Sequence, residues 1–575
     1  MTDTADRARP AHAVQGARAP AMDAAAALLA ELTGLGVEHV IVSPGSRSQA
    51  LALVAAEFER RGRVRVHVRI DERVAGFTAV GVARETGTPA AVICTSGTAV
   101  ANLLPAVLEA HHSGIPLLLL TADRPPELRG VGANQATRQP GMFSSFVRFE
   151  ADLAVPDAVD PDGTGTAEVR QAARDAFAAS LGADAAPAGP VHLNLPYREP
   201  LAGAMPPWLD DAAAPASTPP APVATVTELV RGPRTIVVAG ADAGGDAEEL
   251  AHAGGWPLVA EIVSGARFGR HLVHGYRALL REPELGGHVE RAVVFGHPTL
   301  SREIVAVLSR PDVEVVAVRG PGEALNLNGA TRLVDAAVPS RGEADRVWLG
   351  AWMRASRAVA VDLSPAAPDA DGLSSAEPNR RLPAIAAELQ VLRAPIDRET
   401  LVDAVWRATW PHDRLMFASS RLVRVADAVL GGKRVPVHAN RGLAGIDGTI
   451  ATATGIAVAS QAAGAAGVTR LLTGDLAFLH DVGALLWPPG EDEPRLQVIV
   501  GNDGGGTIFD GLEVAAVASA DAMSRVLYTP HTARLEQLAL AYGWEYQRVT
   551  TRSALDQALT APAGGRQIIE VPLHR

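Results

Sequence analysis

The sequence predicts an α/β protein built from three tandem domains, each carrying a parallel sheet. Three observations predict this. Short apolar runs alternate with small-residue helical stretches along most of the chain, as expected of strands covered on both faces by helices. Stretches rich in Pro, Ala, Asp and Ser near 205–225 and 361–393 break that alternation into three units. The 575 residues also exceed what one core supports, since about 150 residues per domain is usual.

The elements follow in order. Residues 1–20 are rich in Ala, Arg and Pro and read as a loose tail. The first domain, 21–204, opens with an amphipathic helix over 24–33. Its first strand, 38–42, ends at Ser43-Pro44-Gly45-Ser46-Arg47. A strand over 64–70 runs into Asp71-Glu72-Arg73, and one over 90–94 into Thr95-Ser96-Gly97-Thr98. A fourth, 116–121, ends at Ala122-Asp123-Arg124-Pro125. After a linker at 205–225, the second domain, 226–360, has strands at 235–239 and 292–295. A second linker, 361–393, precedes the third domain, 394–575, with strands at 435–439, 470–473 and 496–500. Open parallel sheets bind ligands beyond the carboxyl ends of their strands. The candidate motifs lie at such ends.

Composition removes several classes of function. The chain is 47% hydrophobic, 20% charged and 4% aromatic, an ordinary globular balance that excludes wholesale disorder. A net charge of −12 disfavours non-specific nucleic-acid binding. The single cysteine, Cys94, sits in an apolar strand and reads as a core residue, and one cysteine forms no intrachain disulfide. There is no signal-peptide core and no apolar run near the ~18 residues that span a bilayer. The expected location is therefore the cytoplasm, with no membrane partner.

The strongest local signal is in the third domain. Gly474-Asp475-Leu476 ends one strand, and Asn502-Asp503-Gly504-Gly505-Gly506 ends the next. A helix near 479–486 fits the gap, so the two ends can converge. An Asp carboxylate, an Asn amide oxygen and a backbone carbonyl make an oxygen site suited to Mg²⁺. The glycines allow close approach of a diphosphate. The plainer alternative is two βα turns whose Asp and Asn cap helices. Glu72, at a strand–helix junction, taken alone reads as a helix-start acid favoured by the macrodipole. His111-His112 and His480-Asp481 read as structural or surface groups, because adjacent helical residues face different ways and no third ligand is expected nearby. The 240–245 turn resembles a loose nucleotide loop, a weak signal alone.

Taken together, the motifs resemble a known family. Asp475 and Asn502 match the thiamine diphosphate fingerprint, Gly-Asp-Gly followed by Asn, with Leu476 replacing the second Gly. Ser43-Pro-Gly-Ser-Arg-Ser48, Asp71-Glu-Arg73 and Thr95-Ser-Gly-Thr-Ala-Val-Ala-Asn102 add to the match, as do Ala122-Asp-Arg-Pro-Pro-Glu-Leu128, Gly132-Ala-Asn-Gln-Ala-Thr-Arg-Gln-Pro-Gly-Met142 and Asn440-Arg-Gly-Leu-Ala-Gly-Ile-Asp-Gly448. They resemble the menaquinone-pathway 2-succinyl-5-enolpyruvyl-6-hydroxy-3-cyclohexene-1-carboxylate synthases, from about residue 22 to the end of the chain and most weakly in the middle domain. The resemblance implies the thiamine-enzyme plan of pyrimidine-binding, central and diphosphate-binding domains. It also implies a transferase that decarboxylates 2-oxoglutarate and joins the product to isochorismate, using thiamine diphosphate and Mg²⁺, with Mn²⁺ as an alternative.

Carried over by position, Glu72 is the implied activator of the aminopyrimidine ring. Asp475, Asn502 and the Gly504 carbonyl are the implied metal ligands. Ile446, Ile508 and Phe509 are implied cofactor contacts. Ser46, Arg47, Arg124, Asn134, Gln135, Arg302, Ser420, Arg424 and Arg441 are implied to face substrate, where guanidinium groups would neutralise and orient carboxylates. Ser301 stands where some relatives have a basic residue before Arg302. The family's cleft lies between subunits, so a homodimer or a dimer of dimers is implied. Two other readings remain at this point: another thiamine enzyme, such as an acetohydroxyacid synthase or oxoacid decarboxylase, and a non-catalytic metabolite-binding regulator.

Overall fold

The first and third sheets have the same strand order. In the first, six parallel strands run Arg65–Val68, His39–Val42, Ala90–Cys94, Leu117–Asp123, Pro190–Pro196, Glu150–Asp152 from edge to edge. In the third the order is Val437–His438, Arg414–Phe417, Thr469–Gly474, Leu496–Asn502, Arg566–Pro572, Glu545–Arg548. Numbered within each sheet, both read 2-1-3-4-6-5. The order therefore reverses direction between the first and third strands of each sheet, the switch point where open α/β sheets leave a crevice. The middle domain has five parallel strands, Arg332–Val334, Glu314–Val318, Arg291–Phe295, Thr235–Ala239 and Leu258–Ala260, beside a two-stranded pair of Val226–Leu229 and Ala336–Pro339. This is a computed structural model, and it describes residues 17–182, 186–211, 225–562 and 564–575.

The central strands are buried throughout, as both-face coverage requires. One face of the first sheet packs on the helices Pro20–Gly34, Gln49–Arg60 and Ala167–Ser180. Its other face joins the third sheet in a common core through the helices Glu72–Thr86 and Thr449–Ala462. Phe77 and Val80 meet that core from one helix, Ile450 and Ile456 from the other. The helices touch at glycines. A Cβ on Gly81 would lie 2.1 Å from the Thr452 carbonyl oxygen, and one on Gly455 2.1 Å from the Thr78 carbonyl oxygen.

Three expectations need correction. The helix expected at 479–486 instead begins at Asp475 and ends at His480, followed by a 3-10 turn, Val482–Leu485. The buried Asp481 carboxylate accepts the Ala451 N–H and anchors the break. The segment 361–393, read as a linker, carries the helices Ala370–Ser374 and Pro378–Leu392. Asp369 caps the first by accepting the Gly372 N–H, and Pro378 opens the second, so the Pro and Asp that suggest a linker here mark helix starts. The histidines at 111 and 112 do have a third partner: Glu323 of the middle domain lies 3.4 and 3.2 Å from them. Most of the tail, residues 1–16, and residues 212–224 of the 205–225 linker lie outside the described residues. Among the described residues, no helix is long and apolar enough to cross a membrane.

Candidate active site

The third sheet fixes the oxygen-rich pocket. Gly474 pairs with Gly501 across the two central strands, so Asp475 and Asn502 leave neighbouring strand ends side by side. Asp475 is 2% exposed. Its Oδ1 accepts the Leu476 N–H at 2.7 Å, and its Oδ2 lies 3.0 Å from His531 Nε2. Burial raises its carboxyl above the ordinary value, with nearby Asp503 adding to this and His531 opposing it.

Asn502 is held by a group that the sequence motifs do not reveal. Its Nδ2 donates to Glu570 Oε1 at 2.8 Å, and Glu570 Oε2 accepts the Tyr546 hydroxyl at 2.5 Å. The amide oxygen is thereby turned toward the loop, where it accepts the Gly504 N–H at 3.2 Å. Asp503 is held by Arg398 at 2.7 Å and by the Thr507 hydroxyl. Gly505 has φ +144°, and a Cβ there would strike the Tyr528 carbonyl oxygen at 2.3 Å, so the loop requires glycine. Ile508 and Phe509 are half-buried on the 3-10 turn Thr507–Gly511 that follows. Ile446 packs at the margin of the shared core, and its carbonyl accepts the Thr449 hydroxyl.

A cationic group lies at the carboxyl ends of the neighbouring strands. Arg424 Nη1 donates to the Ser420 carbonyl at 2.7 Å, and Ser420 has φ +117°. Arg441 is buried; it donates to Thr299 Oγ1 and the Thr299 carbonyl at 3.1 and 2.9 Å and to Ser419 Oγ at 3.3 Å. Burial, then the charges of Arg441, Arg277 and Arg302, hold the Arg424 guanidinium below its ordinary value. The fold thus brings together Arg302, Ser420, Arg424 and Arg441, and adds Arg277, which lies outside every quoted motif. Arg302 is the most open of them, 75% exposed and paired with Glu513 at 2.8 Å. Ser301 caps its helix by accepting the Ile304 N–H.

Beneath this group is a buried acid, Glu261. Its carboxylate accepts the N–H groups of Thr299, Leu300 and Ser301. Burial, reinforced by Asp427, pushes its carboxyl up to about 8 despite those bonds and Arg441. Asp427 in turn accepts the Tyr276 hydroxyl and the Ile262 N–H and lies 2.6 Å from Arg277. The middle domain therefore orients Arg441 of the third through Thr299.

The remaining residues gather at the first sheet. Arg47 is buried; its N–H donates to Thr95 Oγ1 and its Nη1 to the Tyr197 carbonyl, while Nε has no hydrogen-bond partner among the described residues. Arg124 is half-buried and its Nε likewise has no partner among the described residues, with its N–H on Asp123 Oδ1. Gln135, at φ +54°, exchanges hydrogen bonds with Ser96. Ser46 and Asn134 are exposed beside them.

Glu72 opens its helix immediately after Asp71, whose carboxylate caps it. Its Oε2 accepts Asn102 Nδ2 at 3.4 Å. Among the described residues it has no polar contact with Asp475, Asn502 or Gly504. Instead its neighbour Arg73 donates to the carbonyl of His480, the last residue of the helix that Asp475 opens.

Comparison with known proteins fixes the family. The thiamine pyrophosphate enzyme N-terminal TPP-binding domain family matches residues 22–142. A 2-succinyl-5-enolpyruvyl-6-hydroxy-3-cyclohexene-1-carboxylate synthase of Leifsonia xyli subsp. xyli is 53% identical over the full length of both chains. The chain belongs to this synthase family. Members from Clavibacter michiganensis subsp. michiganensis, at 52% identity over 97% of each chain, and Mycolicibacterium smegmatis, at 36% over 97% of each, are also similar. The fold is also shared with a more distant solved structure. The crystal structure of benzoylformate decarboxylase from Polynucleobacter necessarius covers 96% of this chain and 98% of its own, with a TM-score of 0.63 at 15% identity. The chain is therefore a thiamine-diphosphate-dependent enzyme of the synthase family.

Proposed function

We propose that this enzyme decarboxylates 2-oxoglutarate and adds the resulting four-carbon nucleophile to isochorismate, with Mg²⁺ as its metal, in the cytoplasm and as a homodimer or a dimer of dimers. The observation that carries the substrate assignment is the arginine group of Arg277, Arg302, Arg424 and Arg441 beside the strand ends of Asp475 and Asn502. The two substrates bring four carboxylates, of which one leaves as CO₂. The others need neutralising and orienting, which planar guanidinium groups do by paired hydrogen bonds. A decarboxylase of a singly charged oxo acid has no use for so many cations clustered at one set of strand ends.

The residues present fit the cofactor and its metal. Asp475, the Asn502 amide oxygen and the Gly504 carbonyl form a hard oxygen set, and a buried acid raised in pKa is one that a divalent cation would stabilise as the carboxylate. Mn²⁺ would fit the same donors. Thiamine diphosphate, when bound, supplies the nucleophilic carbon and takes up the charge left by decarboxylation. The protein's own work is then positional. Glu72 would hydrogen-bond the aminopyrimidine ring of the bound cofactor through its carboxylate. Arg424 and Arg441 fix the substrate carboxylates, and holding both reactants together lowers the entropic part of the barrier. Arg47 and Arg124, each with a buried Nε that has no partner among the described residues, would extend the cationic lining from the first sheet.

The placement of Glu72 supports assembly. Among the described residues Glu72 makes no polar contact with Asp475, Asn502 or Gly504 of its own chain, which agrees with a pocket that the Glu72 of a second copy would complete. The test is CO₂ release from 2-oxoglutarate by protein reconstituted with thiamine diphosphate and Mg²⁺. Carbon–carbon product should form only when isochorismate is present. Consumption of pyruvate in preference to 2-oxoglutarate would overturn the assignment.

A further inference from the structure

The helix Leu104–Ser113 ends with His111 and His112 in its last turn. It meets the middle-domain loop 320–323 at two glycines. A Cβ on Gly114 would lie 2.0 Å from the Gly322 nitrogen, and one on Gly322 2.2 Å from the His112 carbonyl oxygen. This contact brings Glu323 onto both imidazoles, with one ligand atom of each residue lying within 4.8 Å of the others.

His111 is set up as a ligand. Its Nδ1 lies 2.6 Å from the Phe146 carbonyl oxygen, which only accepts, so Nδ1 carries the hydrogen. With Nδ1 so committed, Nε2 is the nitrogen left to face Glu323 Oε1, 3.4 Å away. A second-sphere carbonyl on the distal nitrogen is the usual support of a metal-bound histidine. The spacing points the same way. Charge-assisted N–H···O bonds run about 2.7–2.9 Å. Here His111 Nε2 lies 3.4 Å from Glu323 Oε1 and His112 Nδ1 lies 3.2 Å from Oε2, one imidazole on each carboxylate oxygen. Bonds of about 2.0–2.1 Å around a tetrahedral zinc place neighbouring ligands about 3.3–3.4 Å apart. Arg148, the nearby cation, has its donors on the carbonyls of Ala188 and His111. The Glu323 side chain is 58% exposed, so an ion reaches the site without the domains opening.

We propose that His111, His112 and Glu323 form a binding site for a borderline divalent transition metal of the Zn²⁺ class, which staples the first domain to the middle domain. Two imidazoles and one carboxylate select Zn²⁺ over Mg²⁺, and three protein ligands leave one position for water. The site is separate from the Asp475 pocket, whose all-oxygen donors favour Mg²⁺.

The experiment uses chelator-treated protein reconstituted with thiamine diphosphate and Mg²⁺. It is titrated with Zn²⁺ by calorimetry and with Co²⁺ by visible absorption. We expect one equivalent per chain, a Tm raised by binding, and d–d bands of four-coordinate Co²⁺. His112→Gln and Glu323→Gln should each weaken that equivalent at least tenfold, while Mg²⁺-supported turnover persists. Asp475→Ala should leave the Zn²⁺ equivalent in place. The proposal is overturned if wild-type protein takes up no Zn²⁺, if both variants bind it as wild type does, or if the equivalent disappears with Asp475→Ala.

Discussion

The Asn502 amide donates to Glu570 across 2.8 Å, and this one bond decides which end of the amide faces the pocket. A free asparagine side chain presents oxygen or nitrogen with little preference. Here the nitrogen is committed to a carboxylate that also accepts Tyr546. Glu570→Ala should therefore reduce the affinity for Mg²⁺ by about 10–100-fold, the usual effect of losing a group that orients a ligand. Tyr546→Phe should do the same more weakly. Mg²⁺ titration of turnover at saturating thiamine diphosphate measures both, and an unchanged midpoint in Glu570→Ala would refute the orienting role.

Glu72→Gln should lower kcat by about 10²–10⁴-fold, the range for loss of an acid–base group. The helix is capped by Asp71, so the fold should persist. Cofactor binding, followed by calorimetry, should change little. A variant that loses cofactor and activity together would place Glu72 in binding rather than proton transfer.

Arg441→Lys removes a fork that serves Thr299 and Ser419 at once. A lysine ammonium cannot span both. We expect KM for one substrate to rise about tenfold or more, equivalent to about 1.4 kcal/mol, with thiamine diphosphate affinity retained. Steady-state kinetics with each substrate varied in turn separates the two effects.

Glu261 gives stability a pH dependence with a definite sign. Its folded-state value of about 8 lies above the ordinary 4.5, so the folded protein keeps a proton that the unfolded chain has released. Stability from this group is complete below about pH 4.5 and falls as pH rises toward 8. Between about pH 6 and pH 8 the loss is on the order of 2 kcal/mol. Glu261→Gln should flatten that portion of the curve, read as Tm against pH. An equal slope in the variant would show that another group is responsible.

Gly81→Ala puts a methyl group onto the Thr452 carbonyl, where the approach would be 2.1 Å. The helix gains propensity from alanine, by about 1 kcal/mol. The clash with backbone outweighs this, and we expect a net loss of about 2 kcal/mol or more, within the range for overpacked cores. Urea unfolding measures it.

Local signals in the sequence were reliable where the physics is local. The strands Ala90–Cys94 and Thr235–Ala239 are apolar runs bounded by turn residues, and their limits are those expected. Asp475 and Asn502 sit at strand ends because βα turns put them there. What stayed hidden depends on partners distant in the chain. Glu570 meets Asn502 across 68 positions, and Glu323 meets His111 across 212. A glutamate inside the apolar run Ile568-Ile569-Glu570-Val571 was a visible sign of a buried charge needing a partner, though not of which one. The segment 361–393 misled because proline and aspartate serve linkers and helix starts alike.

The glycine crossing at Gly81 and Gly455 has a kinetic corollary. Backbones in direct contact cannot slide, so the outer two domains of each chain travel as a single solid. Opening to admit two bulky acids and release the coupled product is then left to segments outside that seam, such as the loop carrying Ile508 and Phe509 and the middle domain's hold on Arg441. Turnover limited by product escape should then respond to solvent viscosity through those segments alone, with the shared seam between the first and third sheets standing still.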